Sequence, residues 1–333
     1  MSRTEWLFVA LWAGCAGGGE GATGGTAMLE TSAATDGSGV DTAVVRPGET
    51  DADGVDTGAD TGTPLGVGGA CSLGDPYVFH DTLEIPFEGT TRTAIIDVPD
   101  DYDGTELVPL VLNFHGLATT AQNQKGYTGM ASAGNARGWI VVHPNGTNRS
   151  WDYLPDSQDV RFVDALIDQL SEELCIDEKR IYLTGLSNGG FFSYQFACDR
   201  GDRVAAIAPV AGAQTDPFCS PGTKVPVLHI HGTDDHTVSY DGGLLYPSAR
   251  ASVSGWARDV NGCDQSPTVA FEVGDVTCET WSCSGSDEAS LCTVEGGGHT
   301  WPGALPVPLL GTTNQDIDAT EEILDFFARW ARP

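Results

Sequence analysis

From about residue 90 onward, apolar positions fall into short runs of two kinds. Pro109–Phe114 (PLVLNF), Trp139–His143 (WIVVH), Val204–Val210 (VAAIAPV) and Val225–Ile230 (VPVLHI) are nearly unbroken. Runs of that length predict strands buried on both faces of a parallel sheet. Thr91–Val98 alternates and predicts an earlier strand, and Ile181–Thr184 predicts a short one running directly into Gly185. Between them, Val160, Val163, Ile167, Leu170 and Leu174 recur at steps of three and four, which predicts an amphipathic helix over Asp159–Leu174. A hairpin is expected from Thr268–Trp281 and Ala289–Val294. Asp318-Ala319-Thr320-Glu321 then has capping-box spacing ahead of a last helix lined by Ile323, Phe326, Phe327 and Trp330. Strands alternating with helices imply an α/β domain with a mostly parallel central sheet and helices on both faces.

The first 70 residues break this pattern. Ala16–Gly69 is mostly Gly, Ala, Thr, Asp and Ser, too poor in large apolar groups to offset its ordering entropy, and reads as a disordered acidic tether over 16–69. Trp6–Ala13 is a short apolar run followed by Gly14-Cys15. Residues 1–15 therefore read as an export signal that resembles a bacterial lipoprotein signal, with Cys15 as the lipidated residue. The catalytic domain is placed at 70–333. No apolar run reaches 18 residues, so no membrane-spanning helix is expected.

The formal net charge is -31, of which about -23 remains after the tether. That balance excludes nucleic acid and anionic membrane surfaces as partners, leaving membrane contact only through a lipid anchor. Apart from Cys15, eight cysteines remain, with no Cys-x-x-Cys pair and no histidine at zinc-finger spacing. Disulfides in an oxidising compartment fit better than a metal, and no metal or cofactor is expected. Cys278 and Cys292 close two strand-like runs and are expected to face each other across the hairpin, leaving Cys263 near Cys283.

Chemistry enters with Gly185-Leu186-Ser187-Asn188-Gly189-Gly190. A serine hydroxyl is a poor nucleophile unless a base takes its proton and the backbone presents its oxygen. Glycines two residues either side permit the tight strand-to-helix turn that does so. Downstream, Val225–Ile230 ends in His231-Gly232-Thr233-Asp234-Asp235, which offers two neighbouring carboxylates that spacing does not separate. Gly296-Gly297-Gly298-His299 places a histidine in a glycine-lined loop after the hairpin. Ser187, an aspartate and His299 thus stand in the order nucleophile, acid, base. His229 reads as a core residue in mid-strand, and His115 as a residue that shapes its loop. For a developing oxyanion, the Asn188 amide and one just after Phe114-His115-Gly116, most simply Leu117, are the candidate donors.

At this level the chain resembles the α/β-hydrolase esterases known as polyhydroxybutyrate depolymerases or feruloyl esterases, a group related to carbohydrate esterases. The matching pieces run from Asn113–Gly116 through Asp159–Leu170, Gly185–Gly190, Ala205–Gly212, His231–Tyr240 and Glu295–Gly303 to the final helix. The resemblance implies an α/β-hydrolase fold and carboxylic-ester hydrolysis through an acyl-enzyme. It favours Asp235 over Asp234 as the acid and His299 as the base. Trp301 becomes a candidate substrate-facing aromatic, with packing beneath the loop as the alternative. No cysteine precedes Ser187 or His299, unlike in tannase-like esterases, and no polymer-binding module is legible after the last helix. The expected protein is a monomer, secreted or lipid-anchored at a bacterial surface or periplasm. Its expected substrate is a polyester oligomer or, alternatively, a feruloyl or acetyl ester on plant polysaccharide. A peptidase is a rival within the fold, and a non-catalytic surface lipoprotein is the reading from another class.

Overall fold

The computed structural model describes Cys71 and residues 82–264, 266–283 and 288–333. The leader with Cys15 and the 16–69 tether lie outside the described residues.

The ten strands are β1 (Thr82–Phe87), β2 (Thr90–Asp97), β3 (Val108–Phe114), β4 (Ile140–Pro144), β5 (Ile176–Leu186), β6 (Ala206–Val210), β7 (Val227–Gly232), β8 (Thr268–Val273), β9 (Val276–Ser282) and β10 (Glu288–Val294). They form one sheet in the order β1-β2-β4-β3-β5-β6-β7-β10-β9-β8. The six strands from β4 to β10 in that order are mutually parallel. Two antiparallel strands close each side.

The unbroken apolar runs are buried as expected, with alternate side chains feeding the two faces. On one face Leu110, Leu112, Ile181 and Leu183 pack with α3 (Gln158–Glu173), α4 (Asn188–Asp199) and α5 (Ala249–Trp256). On the other, Val111, Tyr182, Ala208 and Ile230 pack with α2 (Met130–Asn135) and α6 (Ala319–Phe327). Burying both faces forces every loop onto the two ends of the strands, and the carboxyl ends carry the site.

Several details differ from the sequence pattern. Thr268–Trp281 is two strands rather than one, because Gly274-Asp275 turns the chain between β8 and β9. β5 begins at Ile176, ahead of its apolar part. A further helix, α1 (Ala121–Thr128), is polar in sequence and is held by side-chain bonds: Gln124 Nε2 donates to Asn113 Oδ1 (2.9 Å) and Asn113 Nδ2 to Thr128 Oγ1 (3.0 Å). The expected cap of α6 forms by half. Asp318 accepts from the Thr320 and Glu321 amides, but the Glu321 carboxylate turns to Arg137 at 2.6 Å instead of reaching back.

The cysteine pairs Cys278–Cys292, across β9 and β10, and Cys263–Cys283 are the expected ones. Cys71–Cys175 and Cys198–Cys219 complete the set. Among the described residues no cluster of His, Cys, Asp and Glu is arranged to hold a metal, and no helix is long and apolar enough to cross a membrane.

Candidate active site

Ser187 follows the last residue of β5 and is the N-cap of α4, with φ 57° and ψ -118°. An L-residue avoids that region, so surrounding contacts must hold it there. Its amide donates to the Val210 carbonyl (2.9 Å) and its carbonyl accepts from the Phe191 amide (3.0 Å). The glycines make the approach possible. A Cβ on Gly189 would lie 2.3 Å from the Phe114 oxygen, and one on Gly185 would lie 2.7 Å from it. Positive φ recurs nearby. Of seven such non-glycine residues among those described, six lie in loops after β3 to β6: Ala118, Asn148, Arg149, Asp156, Ser187 and Ala211.

Those loops are stitched together by polar groups. His115 is fully buried, and its Nε2 accepts from the Gly146 amide (3.0 Å), which places its proton on Nδ1 for donation to the Gly116 carbonyl (2.8 Å). Burial lowers its pKa, in keeping with a neutral ring. The loop-shaping role expected of His115 therefore has a definite form: it ties the loop after β3 to the loop after β4. The Asn188 side chain does the same between the latter loop and α4. It accepts from the Trp151 amide (2.6 Å) and donates to the Trp151 carbonyl (3.0 Å). Trp151 in turn stacks on Phe192 with ring centroids 4.7 Å apart.

The two candidate oxyanion donors lie on either side of this junction. Asn188 is the first residue of α4, where an N–H has no partner within the helix. Leu117 follows Gly116, whose Cβ position would sit 3.6 Å from Ser187 Cβ. Neither amide donates to a carbonyl among the described residues.

Asp235 lies beyond the carboxyl end of β7 and is buried, whereas the neighbouring Asp234 side chain is 67% exposed and sits 3.7 Å from the exposed His236. The Asp235 carboxylate is fully engaged. Its Oδ1 accepts from the Thr237 and Val238 amides, both at 2.8 Å. Its Oδ2 accepts from His299 Nδ1 at 2.7 Å, with His231 Nε2 3.4 Å away. Burial pushes its pKa up, but the hydrogen bonds from His231, His299 and the Val238 amide outweigh it and hold the carboxyl well below the usual range. Geometry thus separates two carboxylates that spacing left equivalent.

His299 sits in the loop after β10, its amide donating to the Leu310 carbonyl (2.7 Å). The close fit of this loop to the end of β7 explains the glycines on both sides. A Cβ on Gly232 would lie 2.2 Å from the Gly297 oxygen, and one on Gly298 would lie 2.3 Å from the Leu310 oxygen. Thr233 adds a clamp by accepting from the Gly296 amide at 2.8 Å. With Nδ1 on Asp235, His299 Nε2 has no hydrogen bond to the described residues. The Ser187 hydroxyl makes none either, so the structure joins His299 to Asp235 directly and places Ser187 on the same sheet edge.

Trp301 is not substrate-facing. It is 1% exposed, packs with Ile230, Val294 and α6, and donates Nε1–H to Thr320 Oγ1 at 3.0 Å. The loop needs an apolar support beneath it, and the buried hydroxyl of Thr320 satisfies the indole N–H. Residues that the sequence pattern did not single out form an aromatic cluster around Phe191 of α4, four residues after Ser187. Tyr153 stacks on Phe191 (5.2 Å), and Phe191 meets Tyr246 edge-on (5.8 Å).

No protein-family model matches the chain. It is 30% identical over 230 residues to feruloyl esterase B of Piromyces equi, covering 62% of this chain and 42% of that protein. Over 134 residues it is 34% identical to a bifunctional acetylxylan esterase/xylanase of Neocallimastix patriciarum, covering 40% of this chain and 20% of the other. The chain thus spans less than half the length of either relative. Among solved structures, an acetyl xylan esterase from Aspergillus awamori superposes with a TM-score of 0.55 at 17% identity, covering 75% of this chain and 100% of that one. The chain has the α/β-hydrolase fold and is a homologue of proteins named feruloyl esterase and acetylxylan esterase.

Proposed function

We propose that the chain is a serine esterase in which Ser187 is the nucleophile, His299 the general base and Asp235 the residue that orients His299 and stabilises the charge it gains. The observation that carries this reading is the 2.7 Å bond from His299 Nδ1 to a carboxylate that is buried and held ionised. That bond fixes the imidazole tautomer with Nε2 bare, as proton abstraction from a serine requires. Catalytic hydrogen bonds are commonly long in an empty site and tighten with substrate, so Ser187 and His299 are expected to meet when an ester binds.

In the proposed reaction Ser187 Oγ attacks the ester carbonyl as its proton passes to His299 Nε2. The oxyanion is met by the amides of Asn188 and Leu117. The imidazolium then protonates the departing alcohol, leaving an acyl-enzyme. Water, deprotonated by His299, adds to the acyl carbon, and Ser187 leaves with its proton restored. The two steps together conserve atoms and return the site to its starting state.

The substrates we favour are hydroxycinnamoyl or acetyl esters on plant polysaccharide, because the relatives found carry those names. Four disulfides suit an oxidising exterior, which supports secretion as the place of action. Methyl ferulate, acetylated xylan and polyhydroxybutyrate film, offered in parallel, test the choice. Release of ferulate or acetate with an inert film supports it. Film hydrolysis without either product would replace it with the polyester reading.

A further inference from the structure

Beside Asp235, three buried side chains form a line. Tyr194 of α4 bonds His229 Nδ1 (3.0 Å), and His229 Nε2 faces His231 Nδ1 (2.9 Å). His231 Nε2 ends the line between the Val238 carbonyl (2.8 Å) and Asp235 Oδ2 (3.4 Å). The two imidazoles stack with centroids 5.2 Å apart, and all three residues are at most 2% exposed. His229 and His231 are two apart on β7 and so point to one face, which explains why they meet.

The order of protons along this line follows from its far end. A carbonyl and an ionised carboxylate carry no hydrogen, so the one between them and His231 must sit on Nε2. In neutral rings His231 Nδ1 then accepts from His229 Nε2–H, and His229 Nδ1 accepts from the Tyr194 hydroxyl. Burial, with His231 beside it, keeps His229 far below its ordinary pKa and therefore uncharged.

We propose that His231 is a positioning residue for Asp235, a role that rests on the reading of Asp235 and His299 as the acid–base pair. Its single N–H is forked. One branch holds the Val238 carbonyl, whose own amide grips Asp235 Oδ1, and so locks the turn that aims the carboxylate. The longer branch shares Oδ2, the oxygen that holds His299. A carboxylate oxygen serving two donors draws less strongly on the His299 proton than one serving a single donor. His231 thereby moderates the basicity of His299.

Other groups facing the pair are accounted for. Tyr240 meets His231 edge-on at 5.8 Å and spends its hydroxyl on Thr293 Oγ1 (2.8 Å). Arg250 of α5 lies on the Tyr240 side and pairs with Glu279. Tyr127 of α1 accepts from the Trp301 amide (3.3 Å), and Asp234 and His236 face outward. Among these, only His231 reaches the Asp235 carboxylate through a side-chain N–H besides His299.

The test is a ring-nitrogen NMR titration of His299 in the wild type, His231→Phe and His231→Gln, with the kcat/KM pH profile beside it. His231→Phe removes the donor, and the His299 pKa is expected to rise by roughly half a unit to one unit. His231→Gln can restore a donor near the Nε2 position and is expected to return most of that shift. A structural role alone would lower activity without raising the His299 pKa, and an unchanged or lowered value overturns the proposal. The titration reads His299 whether or not any ester is turned over, so it separates this inference from the proposed activity. Should His231→Phe fail to fold, the wild-type spectrum decides. A His231 proton on Nε2 supports the proposal, and one on Nδ1 alone overturns it.

Discussion

At the amino-terminal ends of the parallel strands a cavity of about 460 Å³ opens between Tyr102, Leu107, Arg137, Trp139 and Arg180. The carboxyl ends carry the proposed site around Ser187. Around the amino-end cavity several polar groups have partners, Arg137 with Glu321 and Asp325, Arg180 with Asp177, Asp103 with Thr105 and Tyr102 with the Cys175 amide, while the Asp101 and Glu106 carboxylates have none among the described residues. At the carboxyl end, Ser187 Oγ, His299 Nε2 and the amides of Asn188 and Leu117 have no hydrogen-bond partner among the described residues, and Ser187 is held at positive φ. Strain is what separates the two ends: none of the positive-φ non-glycine residues among those described lines the amino-end cavity, and six lie in the loops at the carboxyl ends.

The sharpest way to break this contrast is at the nucleophile. Ser187→Ala is expected to lower kcat on an activated ester by about 10⁴-fold or more while the melting temperature stays close to wild type. Next comes the carboxylate pair. Asp235→Asn is expected to cost roughly 10³- to 10⁴-fold in kcat through the wrong His299 tautomer, whereas Asp234→Asn stays within about threefold. Equal losses at both positions, measured by steady-state kinetics, would mean that the His299–Asp235 contact is not the functional one.

A smaller effect distinguishes buried groups that serve the site from one that does not. His143 on β4 is fully buried and pushed down to about 3 by desolvation and then by Lys125. An unfolded histidine titrates near ~6.5, so between those values the unfolded chain binds the extra proton. Stability therefore falls as pH drops below about 6.5, by roughly 1 kcal/mol per pH unit from this group. Asp235 is shifted the same way from a lower start, and its contribution is lost only as pH falls below about 4, through its depressed folded value. Denaturant unfolding across pH should show the histidine slope first. His143→Gln should remove one histidine's share of it, leaving the share of the buried His229 and His115, without moving the kcat/KM profile. The smallest effect is expected at the amino-end cavity, where Arg180→Ala should change turnover by less than about twofold, its ion pair being half-exposed.

How much was legible follows from which forces write themselves into sequence. Gly185 and Gly189 could be read because a close backbone approach requires glycine, and the buried strands because both faces must be apolar. The disulfide across β9 and β10 was legible because both cysteines belong to strand-like runs expected to pair as a hairpin, though each lies within its strand rather than closing it. β8 hid its turn because all six of its residues are exposed and carry no alternation. α1 hid because side-chain hydrogen bonds rather than an apolar stripe hold it. Asp234 and Asp235 could not be ranked by spacing, since only the turn after β7 decides which carboxylate is buried. His231 was visible as a letter in a motif, but its link to Tyr194 and His229 exists only after α4 packs on β7. Trp301 stayed open between two roles because an aromatic beside a candidate base looks the same in sequence whether it faces substrate or supports the loop, and burial decides for the second.

The central claim is that one hydroxyl at the carboxyl edge, and nothing at the amino edge, forms the bond to substrate. Rapid quenching of the protein with an activated ester, followed by intact-mass measurement and peptide mapping, reads that bond directly. The account predicts a single acyl group on Ser187 that accumulates in a burst and is lost on further incubation, and no adduct in Ser187→Ala. Turnover without any adduct at Ser187, or an adduct that persists in Ser187→Ala, would contradict it.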